Sequence, residues 1–406
     1  MTRSWISQTD RRRLLVGLTG TPIVEGCNVE LLHDEEILPA MLEAIRAAEH
    51  TVDLMTYIWW GGEVAERFAV ALADRARNGV RVRLLLDSVG SRDLDEGLEQ
   101  QMRDAGVTLE YFRPRWSWKL WQLNMRTHRR VLVCDDHLAF TGGVGIAQEW
   151  MGTDGVPAWR ETHLRVTGPA VDGIHAGFYT DWVETPRPPV DENDSWPERM
   201  SDGSVDLQVL LASSQPGWNT MALALNGLID SARERLRITT AYFRPPRHFR
   251  RLLCQTAKRG VEVEVLVPGP HAEPVISRHA AQHHYGELLE HGIRLFEYQP
   301  TMLHAKVVTV DGTTAMVGTT NFDARSLALN EQISVVLHDE ELTRQLDQRF
   351  DDDVSKSEQI DLEAWRRRPV TDRAKQWLGH ASTFPIRGAA ATKRGRIVGD
   401  PPTGDV

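Results

Sequence analysis

The chain has 406 residues, 41% of them hydrophobic and 26% charged, which excludes a disordered chain and leaves room for two ordinary domains. A net charge of −10 excludes a surface that is one continuous nucleic-acid footprint, so an anionic ligand must be drawn by local positive charge. Three scattered cysteines, Cys27, Cys134 and Cys254, offer neither a CxxC pair nor a disulfide framework, so a reducing, cytoplasmic setting is expected.

In chain order, residues 1–27 include "TDRRRLLVGLTGTPIVEG", arginines before a short apolar stretch broken by Thr, Gly and Pro. This predicts a mature N-terminal arm and no signal peptide. No apolar run reaches the roughly 18 residues needed to cross a bilayer, so any membrane contact is expected to be peripheral.

The first domain is expected over 28–185. "EEILPAMLEAIRAAE" (35–49) sets Ile37, Leu38, Met41, Leu42 and Ile45 on one helical face. A helix over 63–78 should stop at Asn78–Gly79, with a β-branched strand at 80–86. "FRPRWSWKLWQLNMRTHRR" (112–130) carries Trp116, Trp118 and Trp121 among Arg113, Arg115, Lys119, Arg126, Arg129 and Arg130, and no acid. That composition fits the interface of an anionic bilayer or a single nucleic-acid strand, as well as a core edge with a solvated rim. "THRRVLVCD" (127–135) follows. Residues 186–204, rich in Pro and acids, predict a linker.

A second domain is expected over 205–355, because the chain repeats itself. His304 follows His128 by 176 residues, Asp311 follows Asp135 by 176, and Gly318 follows Gly142 by 176. "RNGVRVRLLL" (77–86) matches "KRGVEVEVLV" (258–267), and "AGVTLEYFRP" (105–114) matches "HGIRLFEYQP" (291–300). The alternation of helix and strand in each half predicts an α/β fold of two pseudo-symmetric sandwiches. His279 and His283 stand four apart on a predicted helix, but no third ligand or HExxH accompanies them, so no metal site is expected. Residues 356–380 read as a basic helical segment and 381–406 as a disordered tail.

"LHAKVVTVD" (303–311) mirrors "THRRVLVCD": His, a cation two places on, and Asp seven places after the His. On a strand, His304 and Lys306 share a side, so an imidazole stands beside a fixed ammonium. A pseudo-twofold would bring both pairs to one cleft. One His attacks phosphorus, the other protonates the leaving oxygen, and Arg130 and Lys306 stabilise the equatorial oxygens without a metal. Asp135 and Asp311 are expected to orient or balance an imidazole.

These residues resemble the phospholipase D superfamily, whose signature is a paired HxKxxxxD motif. "NMRTHRRVLVCDDHLAFTGGVGIAQEW", "WRETHLRVTGPAV" and "LHAKVVTVDGTTAMVGTTNFDARSLALNEQ" look like its bacterial cardiolipin synthase and phospholipase D-like branch, and the likeness runs from Val29 to Arg368. The resemblance implies two phospholipase D-like α/β sandwich domains with mixed central sheets and the active site at their interface. It implies a phosphohistidine intermediate, no cofactor, and one histidine as nucleophile with the other as acid: by matching position His128 and His304 in that order, with the reverse as the alternative. Asn321 matches the family's phosphate-contacting Asn and Glu331 its downstream acid; Glu161 falls at the corresponding strand of the first half. There are two departures: Arg130 replaces the family's first Lys, and Gly145 replaces its first Asn. The expected activity is phosphatidyl transfer between phosphatidylglycerol molecules, with Trp116, Trp118 and Trp121 against an anionic membrane. Phospholipid hydrolysis, a nuclease or other phosphodiesterase, and a non-catalytic anionic-lipid-binding protein are the alternatives.

Overall fold

The computed structural model describes residues 7–114, 125–153, 155–189, 201, 203–214, 219–369, 371–372 and 376–378. The first half runs α1 (Gln8–Thr19), β1 (Val24–His33), α2 (Ile37–Ala47), β2 (Thr51–Thr56), α3 (Glu63–Arg77), β3 (Arg81–Asp87), α4 (Glu96–Asp104), β4 (Thr108–Phe112), β5 (Val131–Cys134), β6 (Leu138–Gly142), β7 (Thr162–Thr167) and α5 (Val171–Trp182). The second half begins with β8 (Val205–Ala212), α6 (Thr220–Ser231), β9 (Arg235–Thr239), β10 (Phe243–Arg244), α7 (Arg247–Lys258), β11 (Glu262–Pro268), α8 (Val275–Gln282), α9 (Tyr285–Leu289) and β12 (Arg294–Tyr298). It ends with β13 (Val307–Val310), β14 (Thr314–Gly318), β15 (Phe322–Asp323), β16 (Gln332–Leu337), α10 (Glu340–Ser355), β17 (Ser357–Gln359) and α11 (Leu362–Arg367).

Local chemistry explains the elements. In α2, Ile37, Leu38, Met41, Leu42 and Ile45 are all buried, the stripe that the spacing predicts. α3 ends where Asn78 caps it and Gly79 takes φ +86°, a conformation that costs glycine little. β5 and β13 read VLVC and VVTV and are buried throughout, as strands covered on both faces must be.

One mixed fifteen-stranded sheet runs β17-β12-β11-β9-β13-β14-β16-β8-β1-β7-β6-β5-β2-β3-β4. From the antiparallel β1–β8 contact outward, each half repeats one order: β1-β7-β6-β5-β2-β3-β4 and β8-β16-β14-β13-β9-β11-β12. The two expected sheets are therefore joined into one. In each half β2–β3–β4 or β9–β11–β12 is the parallel set fed by crossover helices, and the motif strand opens an antiparallel hairpin. Apolar clusters cover both faces. α2 and α3 pack on the first half, and α6, α7 and α9 on the second. Between them a shared cluster joins Ile174 and Phe178 of α5 to Val209, Ile333 and Leu346. β17, in the segment read as helical, extends the edge beside β12. The 381–406 segment lies outside the described residues.

Candidate active site

Each motif is pinned to the opposite half. The His128 amide donates to the Glu331 carbonyl at 2.9 Å, and the His304 amide to the Arg160 carbonyl at 2.8 Å. β5 and β13 begin only at Val131 and Val307, so both His–x–cation pairs precede the regular strand. The pairs still share a side. Arg130 Nη2 lies 3.4 Å from His128 Nε2, and Lys306 Nζ 2.8 Å from His304 Nδ1. Lys306 also donates to the His304 carbonyl, as Arg130 Nη1 does to that of His128 at 2.8 Å. All four side chains are buried.

The imidazoles take their Nδ1 partners across the interface. His304 Nδ1 meets Glu161 Oε2 at 2.6 Å, while His128 Nδ1 meets Gln332 Oε1 at 3.2 Å. Aromatic rings wall the pocket. Tyr57 stands edge-on to His128 at 5.4 Å, and Trp150 and Trp159 lie 5.3 and 5.7 Å from His304.

The groups act on one another electrostatically. Burial, then Arg130, Lys306 and His304, push His128 well below the ordinary histidine range. Burial, then Lys306 and Arg130, push His304 down likewise, against a backbone hydrogen bond with Gly143. Burial draws Lys306 down to about 7 although Glu161 opposes it, and draws Arg130 to about 10. Burial raises Glu161, with Lys306 opposing. The two imidazoles, Arg130, Lys306 and Glu161 therefore form one coupled set.

Several sequence expectations need correction. Asp135 and Asp311 touch neither imidazole. Asp135 accepts from the amides of Glu49, His50 and Thr51, and Asp311 from those of Arg233, Glu234 and Arg235 and from the Arg11 guanidinium. Four residues of strand carry each carboxylate to the far end of its hairpin. Glu331 is not the residue on the imidazole either; it accepts from Arg113 and Ser214, and its neighbour Gln332 holds His128. Asn321 is buried beside β15 with its Oδ1 unpartnered.

The acid-free basic stretch finds its acids elsewhere. Arg126 binds Asp87, Arg129 binds Asp181, and Arg113 binds Glu184 and Glu331. Arg126 and Arg129 are fully buried, so these cations form no lipid-facing rim. Trp116, Trp118, Trp121, Arg115 and Lys119 lie outside the described residues. Gly145 stands where an Asn cannot: a Cβ there would come within 2.9 Å of both Ile58 and the Trp150 ring. Trp150 fills the space that the first-half Asn would need. Sequence reasoning missed Gln332, Tyr57, Trp150 and Trp159. Counting from the paired glycines would not have found Gln332, because Glu161 lies 19 residues after Gly142 and Gln332 only 14 after Gly318; the strand register is what sets them in equivalent places.

A duplicated α/β frame whose halves jointly build one buried His–cation pocket defines a class of protein with a single composite site. The family described as "Cardiolipin synthase, PLD-like domain" matches residues 41–154 and 225–354, and the chain belongs to it. It is 30% identical over 365 residues to cardiolipin synthase 1 of Bacillus anthracis, covering 87% of this chain and 72% of that one. It is 32% identical over 367 residues to cardiolipin synthase A of Yersinia pseudotuberculosis, covering 87% and 75%. Against the minor cardiolipin synthase ClsB of Bacillus subtilis the figures are 30% over 360 residues, 88% and 89%. The fold matches that of a phosphatidylserine synthase from Haemophilus influenzae with a TM-score of 0.70 at 15% identity, over 94% of this chain and 98% of that one.

Proposed function

We propose that this enzyme moves a phosphatidyl group from one phosphatidylglycerol to another, releasing glycerol and forming cardiolipin. The observation that carries the reading is the crosswise pocket, in which each half holds the other's imidazole. Residues 28–185 and 205–355 serve as the two contributing domains. His128 Nε2 attacks phosphorus, the phosphorus–oxygen bond to glycerol breaks, and His304 delivers a proton to the departing oxygen. The acceptor hydroxyl then gives its proton to His304 as its oxygen displaces His128 from phosphorus. Arg130 and Lys306 hold the non-bridging oxygens while charge builds on them. Asn321 contacts the phosphate. Asp135, Asp311 and Glu331 support the frame, and Glu161 holds His304.

Among the described residues no helix is long and apolar enough to cross a membrane, so the lipid is met from the surface in this reading. Trp116, Trp118 and Trp121 are the proposed contact with an anionic bilayer.

The test is product analysis after purified protein meets phosphatidylglycerol vesicles in EDTA. Cardiolipin and glycerol in equal amounts are expected. Phosphatidic acid as the main product would replace transfer by hydrolysis. Cleavage of single-stranded DNA without lipid turnover would make the protein a nuclease.

A further inference from the structure

The pseudo-twofold between the halves fails at one pair with chemical consequences. Gly142 pairs with His163 across β6–β7, and Gly318 with Ser334 across β14–β16. Counting back two residues sets Glu161 and Gln332 in equivalent places. The main chain agrees, because the residues just before them, Arg160 and Glu331, accept the amides of His304 and His128. Both side chains are fully buried, yet one imidazole leans on a carboxylate and the other on a carboxamide.

The surroundings fix which end of Gln332 faces His128. Thr319 Oγ1 accepts from the Ile333 amide and has two acceptors for its own proton: the Ile333 carbonyl at 3.1 Å and, closer, Gln332 Oε1 at 2.5 Å. That oxygen, an acceptor, faces His128 Nδ1, which must carry hydrogen. The other ring nitrogen then bears a lone pair. Arg130 Nη2, only ever a donor, stands 3.4 Å from that same Nε2 and agrees.

We propose that Gln332 is a positioning residue that divides the labour between the two histidines, a reading that rests on the phosphoryl transfer proposed above. A neutral carboxamide orients His128 and draws a second proton to its ring less than a carboxylate would, against burial, Arg130 and Lys306. His128 Nε2 therefore keeps its lone pair for phosphorus. Burial, Lys306 and Arg130 disfavour a second proton on either ring. Only His304 has a carboxylate, Glu161, on its Nδ1 to offset that push, so His304 rather than His128 is the ring that can take the proton destined for the leaving oxygen. The same substitution sets the charge of the pocket. Leaving aside the imidazoles, whose protons move during the reaction, Arg130 and Lys306 against Glu161 alone leave one positive charge, which one phosphodiester anion neutralises. A glutamate at 332 would cancel that charge and let His128 hold a proton on the nitrogen that must attack.

The test uses the full chain, phosphatidylglycerol vesicles and rapid quenching into base, since a phosphorus–nitrogen bond to histidine survives base and not acid. Peptide mass mapping should place the adduct on His128 in the wild type. In Gln332→Glu the acid limb of the kcat/KM profile should move upward by about one pH unit. Exchanging both residues, Glu161→Gln with Gln332→Glu, should move the adduct to His304. An adduct on His304 in the wild type would overturn the proposal even if no variant folds. So would a Gln332→Glu profile that overlays the wild type. Product formation with an adduct on neither histidine would instead remove the phosphohistidine step itself, and this proposal with it.

Discussion

Arg130 and Lys306 occupy matched places but hold charge differently. Lysine loses its proton readily when buried, and Lys306 is drawn to about 7, whereas an arginine at about 10 stays charged across the working range. Below pH 7 Lys306 is an ammonium; above it the free pocket loses that charge. Affinity for dimethyl phosphate, which keeps its single charge throughout, should therefore fall as pH rises above 7, approaching tenfold per unit. In Lys306→Arg it should stay level to pH 9, and titration calorimetry reads both. Equal slopes in the two proteins would show that Lys306 does not govern the anion site. At this scale the sequence displayed the residue types but not their partners. Gly145 looked like a lost phosphate contact, and only the Trp150 ring in the same space explains it.

The spacing of the motif is that of a hairpin. A cation, four strand residues and a turn bring Asp135 and Asp311 to φ 51° and 52°, a left-handed conformation that Asp tolerates. From there each short carboxylate reaches back to three consecutive amides at the start of β2 or β9. The seventh residue thus fastens the hairpin that aims the histidine. Asp135→Ala or Asp311→Ala should each lower the unfolding free energy by about 3 kcal/mol in urea titrations, because backbone donors lose their acceptor. An unchanged midpoint with a displaced pH profile would return these acids to the imidazoles. Helices and strands were legible here from apolar spacing and Gly79, because burial enforces the period. The fates of Arg113, Arg126 and Arg129 were not, since Asp87, Asp181 and Glu184 come from distant segments.

Across the whole molecule, the duplication read as a repeat of 176 residues becomes mirrored strand orders about β1–β8. The sequence showed that two motifs exist and the likeness implied that they meet. What it could not show is the crosswise bonding, because Glu161 and Gln332 lie 143 and 204 residues from the rings they hold. Neither half closes a pocket alone in this arrangement, so the proposed transfer requires both imidazoles in every turnover. The most direct measurement is cardiolipin formation from phosphatidylglycerol vesicles by His128→Ala and His304→Ala, each checked for native circular dichroism. Each variant is expected to lose at least about a thousandfold in turnover. Wild-type turnover in either one would contradict that requirement.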